Sequence, residues 1–314
     1  MSLLFLITYA VILAIIFIAG LTLIGSLRTK GNLHRALNMT LFLVRVPREA
    51  VSPAGGGATK TEKDLISVGE QLLSGFSNIH SKGWNKFLYG EPYVSLEMAV
   101  HHIGEETHFY IAVPKSNEDI IEKQIYGYYP AAEVSKVKDY NIFNPEGANA
   151  GAYLKYTVDP ILPLRTYQKL ESDPIGGVLT AMSKLQAEGE GAAMQLLIRP
   201  SHAGKLKSLA VKVAREMQVG YQFKEALQRA RYPVKQKPGQ TPEQIQSRTA
   251  TPADEEVIKA ITAKTGKQTF DVNIRLIASA LSQARAEQIL QDIQGAFVQF
   301  SSPDLNGLTP AKLT

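Results

Sequence analysis

YVSLEMAVHHIGEETHFYIAV, residues Tyr93 to Val113, is the stretch from which the fold is read. Val94, Leu96, Met98 and Val100 alternate with smaller or polar residues, and Phe109, Ile111 and Val113 alternate on the way back. That period of two places one face of each strand on a core. Ile103-Gly104-Glu105-Glu106 supplies the turn, so the stretch predicts a β-hairpin. With a four-residue turn, His101 would stand directly opposite His108, both on the face away from Phe109 and Ile111. Downstream, Ser116 with Asp119 predicts the cap of a helix carrying Ile120, Ile121 and Ile125, stopped by Gly127 and Pro130; Ala132 to Val137 reads as a third strand. The order is β-β-α-β.

A second pass of the same kind begins with a strand over 152–158. Asp173 is read as an N-cap and Pro174 as the first helical residue, with Ile175, Val178, Leu179, Met182 and Leu185 at helical spacing behind them. Ala192 to Ile198 is again a strand. Lys205 to Gln218 turns Leu206, Leu209, Val213 and Met217 to one side. Thr251-Pro252 starts a helix ending near Gly266, Phe270, Val272, Ile274 and Leu276 alternate, and Ser282 to Phe300 reads as a long amphipathic helix. The fold class is α+β: mixed sheets with packed amphipathic helices, in ferredoxin-like β-β-α-β units.

Upstream, Thr61 with Asp64 predicts a capping box for a helix whose Leu65, Val68, Leu72 and Phe76 share one face. The segment 47–60, with Pro53 and Gly55 to Gly57, reads as a flexible linker. At the N-terminus no residue from Met1 to Leu27 is charged, and fifteen of the 22 residues from Leu3 to Ile24 are Leu, Ile, Phe or Val. Summed over those fifteen, insertion into a bilayer is favoured by on the order of 4 to 9 kcal/mol. The basic residues Arg28, Lys30 and Arg35 follow the apolar run, the reverse of a cleaved signal peptide, and predict that the rest of the chain lies on the cytoplasmic side. The chain therefore divides into a transmembrane anchor (1–27), a basic collar with a flexible linker (28–60), an α+β soluble domain (61–231), a flexible insertion (232–252) and a C-terminal α-β-α part that completes the domain (253–314).

The 314 residues contain no cysteine, which excludes disulfides, thiolate metal sites and a cysteine nucleophile. Net charge is +5 but unevenly spread, because Met194 to Gln240 holds ten basic residues against two acidic ones. Within that block Lys205, Lys207, Lys212, Arg215, Lys224, Arg229 and Arg231 are candidate contacts for a polyanion, against the alternative of a solvated helix face. No phosphate loop is present, since Gly204-Lys205 and Gly266-Lys267 lack both the upstream glycine and the following Ser or Thr. Glu97, His101, His102, Glu105, Glu106 and His108 are the best cluster for chemistry. His101 and His108 could hold zinc with a carboxylate; with no fourth ligand in view, a solvated sheet face with a paired imidazole is the reading kept. Ser201-His202 are adjacent and cannot readily act as nucleophile and base, Glu171 and Asp173 are explained by a helix cap, and Trp84, Tyr126, Tyr128 and Tyr129 by packing. No catalytic residue, enzymatic activity or cofactor is assigned.

Leu164-Arg165-Thr166-Tyr167, Leu170-Glu171-Ser172-Asp173-Pro174, Gly191 to Pro200 (GAAMQLLIRP), Glu91 to Val113, Tyr126 to Val134 and Phe270 to Ala278 (FDVNIRLIA) together resemble the N-terminal region of bacterial conjugative-transfer proteins, the coupling-protein-like ATPases of type IV secretion. In that family a membrane helix and an α+β domain precede a RecA-like motor. The resemblance implies a non-catalytic component at the inner-membrane cytoplasmic face of a DNA or protein transfer machine. Its implied partners are the bilayer, other secretion-machine subunits or a separate ATPase motor, and DNA. A membrane-tethered protein scaffold unrelated to DNA is the other reading.

Overall fold

The structure is a computed structural model that describes residues 3–47, 62–103, 106–170, 173, 175–186, 188–201, 204–232 and 250–312. In chain order its elements are α1 (Leu3–Leu37), β1 (Met39–Arg45), α2 (Glu62–Gly75), α3 (Gly83–Tyr89), β2 (Val94–Val100), β3 (Thr107–Pro114), α4 (Glu118–Tyr128), β4 (Glu133–Val137), β5 (Ala148–Tyr156), α5 (Gly176–Met182), β6 (Gly191–Pro200), α6 (Gly204–Gln218), α7 (Phe223–Arg231), α8 (Pro252–Gly266), β7 (Phe270–Ala280), α9 (Gln283–Gly295) and β8 (Leu308–Lys312).

The α+β class holds, but the strands form one eight-stranded sheet, order β4-β1-β3-β2-β6-β7-β5-β8. Every pairing is antiparallel, so the expected mixed sheet is corrected. The order also shows two equivalent halves. The first runs β1-α2-β2-β3-α4-β4; the second runs β5-α5-β6-β7-α9-β8, with α6 to α8 inserted between β6 and β7. Numbered within itself, each half has strand order 4-1-3-2. They meet where β2 pairs β6, from Val94 opposite Ile198 to Val100 opposite Ala192, so an approximate twofold axis at this seam relates them.

Period-two alternation puts the apolar side chains of both halves on one sheet face. There Phe42, Val94, Ile111, Val113 and Ile198 pack with Leu72, Ile121 and Ile125 from α2 and α4. In the second half Leu276, Ala278 and Ala280 pack with Val178, Met182, Ile289 and Ile293 from α5 and α9. The inserted helices have a core of their own, in which Val213, Met217, Val257 and Ile261 close around Ile161 and Leu162.

Several expectations are corrected at the level of single residues. His108 pairs with Ala99 and Thr107 with Val100, so the turn spans 101–106 and His101 does not stand opposite His108. A strand at Met39–Arg45 lies inside the segment read as collar and linker, and it sits between β3 and β4. Asp173 does not cap a helix directly: its Oδ1 accepts from the Ile175 N–H at 2.9 Å, and α5 starts at Gly176. Ser116 donates to Asn117 instead of capping α4. The long last helix stops at Gly295 and is followed by one 3₁₀ turn, Val298–Phe300. By contrast Thr251 forms the capping box of α8 with Asp254, as expected. The Thr61 cap and most of the 232–252 segment lie outside the described residues.

Candidate functional site

Two places in the fold concentrate polar groups. The first is made by the chain between the halves. Because β4 is at one edge and β5 near the other, residues 138–147 must cross the open face as a strap. Small side chains beneath it, Ala99 and Ala193, let it lie close, and Ile142 and Tyr140 fill the space with Tyr110. Asn144 N–H donates to Ser279 Oγ at 3.0 Å and its Nδ2 to the Gly189 carbonyl at 3.2 Å, fixing the far end.

Tyr140 sits on the seam. Its hydroxyl donates to Glu97 Oε2 at 2.5 Å, and its ring stacks on Tyr110 with centroids 4.6 Å apart. Tyr110 Oη and His101 Nε2 are 2.8 Å apart, and the His101 ring is 5.0 Å from that of His108. Glu97 is 8% exposed, so this carboxylate depends on its protein partner. Burial first, and the Glu97 carboxylate next, push the Tyr140 hydroxyl far above its ordinary value. Burial, then His108 and His102, lower His101 below the usual imidazole value. The Tyr140 hydroxyl therefore keeps its proton as the donor to Glu97, beside an imidazole that burial holds from charging, an arrangement suited to holding the strap. Tyr140→Phe keeps the ring stack and removes only the donor; a loss of about 1–3 kcal/mol is expected in denaturant unfolding, from the stranded carboxylate oxygen.

The histidine pair does come together, as diagonal neighbours on one face, but the hydrogen bond to Tyr110 occupies His101 Nε2. Glu97 is turned to Tyr140, and His102 Nδ1 lies 3.2 Å from the Asn141 carbonyl. Among the described residues no three His, Asp or Glu side chains are grouped as metal ligands. Glu105, Glu171 and His202 lie outside the described residues.

The second place is the junction of α1 with the sheet. The Arg35 guanidinium donates to the Glu91 carbonyl at 2.7 Å and the Gly90 carbonyl at 3.1 Å, and α3 packs along α1. Lys115 N–H donates to the Asn38 carbonyl at 3.2 Å. The helix is long and apolar enough to cross a membrane, with a mean hydropathy of 2.7 in its most apolar window. At 35 residues it is about 52 Å long, well beyond the ~30 Å hydrocarbon layer.

The basic block is divided by the fold. Arg229 is paired with Glu216 at 3.0 Å and lies over the Tyr221 ring, and Arg231 is paired with Asp159. On α6, Lys205, Lys212 and Arg215 fall by helical periodicity away from the buried Ala210, Val213 and Met217, while Lys207 is on the other flank. Lys224 is exposed on α7. The sequence reading missed Tyr140 and the buried Glu190 with Arg285, and it read Arg35 only as a topology signal and not as a contact to the 90–91 backbone; all of these act through residues distant in the chain. Trp84, taken for a packed residue, is 78% exposed.

A search of the curated proteins gives no match. The family model described as "Domain of unknown function (DUF8128)" matches residues 58–310, most of the sheet and its helices, and the chain belongs to that family.

Proposed function

We propose that the chain is a non-catalytic module anchored in a membrane by α1, with its α+β body on the cytoplasmic side, where it positions a motor or a substrate of a type IV secretion or conjugative DNA-transfer machine. The observation that carries the anchoring role is the junction: α1 ends at Leu37 and β1 begins at Met39, with Arg35 bonded to the 90–91 backbone. A tether needs only slack, whereas a helix joined directly to an interior strand transmits orientation to the whole sheet. Arg28, Lys30 and Arg35 after an uncharged N-terminus support the cytoplasmic orientation. The resemblance to coupling proteins supports the transfer machine. We read each half as a ferredoxin-like unit, since both follow β-α-β-β-α-β with order 4-1-3-2.

In this reading the α6 to α8 insertion presents Lys205, Lys212 and Arg215 to DNA phosphates. The full chain in neutral detergent should bind duplex DNA with an affinity that falls steeply with salt, and replacing those three residues by Gln should flatten the slope by roughly two to three. Absence of DNA binding at low salt would favour the scaffold reading instead.

A further inference from the structure

A cleft of about 780 Å³ opens between the last turns of α1 and the loops of the first half. Among the described residues Lys30, Arg35, His80, Lys82 and Lys115 line it, and no Asp or Glu does. Lys30, Lys82 and Lys115 form no ion pair among the described residues; Arg35 is held by backbone carbonyls, and the nearby Glu91 is shared between Lys86 at 2.7 Å and His80 at 3.8 Å. An excess of positive over negative charge gathered around a cavity raises its affinity for an anion. Position says which anion. Leu27 forms one wall and Lys30 lies one helical turn, about 5 Å, further along. If Leu3 to Ile24 fill the hydrocarbon layer, these residues stand at headgroup depth.

The neighbouring α3 gives a separate sign of the same surface. Lys82, just before it, lines the cleft with Leu27 and Lys30, whereas Gly90, just after it, meets Arg35. α3 packs along α1, and near its start, two residues after Lys82, Trp84 is 78% exposed with Phe87 against its edge at 6.0 Å. A Trp with its ring outside the protein fits the interfacial belt of a bilayer.

We propose that this cleft binds the phosphate headgroup of anionic phospholipids in the leaflet that α1 enters the body from, with Lys30, Lys82 and Lys115 as the phosphate contacts and Trp84 seated at the interface beside them. The inference rests on the reading of α1 as a membrane anchor. It makes the junction a lipid-sensing contact as well as a mechanical one.

Trp84 is the only tryptophan, so its emission reports the site directly. The full chain in neutral detergent would be titrated with short-chain phosphatidylglycerol, with phosphatidylcholine and with inorganic phosphate. Phosphatidylglycerol is expected to give a saturable blue shift, and phosphatidylcholine and phosphate little. Lys30→Gln, Lys82→Gln and Lys115→Gln together, with unchanged circular dichroism, should weaken the midpoint about fivefold per lysine, on the order of a hundredfold in all. Equal shifts from both lipids, an unchanged midpoint in the triple variant, or saturation by inorganic phosphate would overturn the proposal. Failure of the anchor is a distinct result: a chain that stays in solution without detergent and does not float with vesicles.

Discussion

Arg285→Ala is expected to destabilise the protein by about 3 kcal/mol at neutral pH, the lower end of the 3–5 kcal/mol range for breaking a buried ion pair. Arg285 Nε and Nη2 reach the two oxygens of Glu190 at 2.7 and 3.0 Å, a bidentate pair between the first turn of α9 and the residue before β6. Glu190 also accepts from the Gln186 N–H at 2.9 Å. Its side chain is 5% exposed while that of Arg285 is 39% exposed, so water would enter where the guanidinium had been, which keeps the loss at the low end. The Arg285 hydrogen bond is the chief cause holding the Glu190 carboxyl below its ordinary value, against burial. With the folded value depressed, the stabilisation is complete above the unfolded value of about 4.3 and disappears as pH falls through the folded one. The gap between wild type and Arg285→Ala in urea unfolding should therefore narrow in acid. Adding Glu190→Gln to Arg285→Ala should recover part of the loss, because an amide needs no counter-charge. A variant within about 0.5 kcal/mol of wild type would refute the assignment.

Gly191→Ala is expected to cost about 3 kcal/mol or more, at or above the usual 1–3 kcal/mol for overpacking. A Cβ there would stand 2.2 Å from the Ile142 carbonyl oxygen, 3.0 Å from its carbon and 3.1 Å from the His102 nitrogen. All three are backbone atoms, so no rotamer change relieves the clash; the strap itself must lift. Limited proteolysis should then show new cleavage at Lys138, and the Tyr140 to Glu97 bond should be lost with it. Gly204→Ala is the control, since nothing lies within 4 Å of its Cβ and α6 begins there. Equal stability of the two variants would mean that the strap does not lie against β6.

Legibility followed how local the signal was. The strands β2, β3 and β6 were readable because alternation of Val94 to Val100 or Thr107 to Pro114 is a property of the segment itself. The cap at Thr251 was readable because its partner is three residues away. β1 was not, because its run Thr40-Leu-Phe-Leu-Val44 has no alternation, and only its place between β3 and β4 makes it a strand. β8 was missed because Leu308-Thr-Pro-Ala-Lys312 offers one large apolar residue and a proline. The two-residue error in hairpin register came from assuming a tight turn where the loop spans 101–106. Tyr140 was invisible for another reason: it is 43 residues from Glu97, and nothing in Lys138 to Gly147 carries a period.

Two copies of one half, joined along β2 and β6, would be a twofold-symmetric dimer whose stability depended on how often the copies met. The strap removes that dependence. A connection of about ten residues gives the second half an effective concentration of order millimolar at the first, so the seam closes as an intramolecular step at any expression level. The complete eight-stranded sheet then forms without a search for a partner.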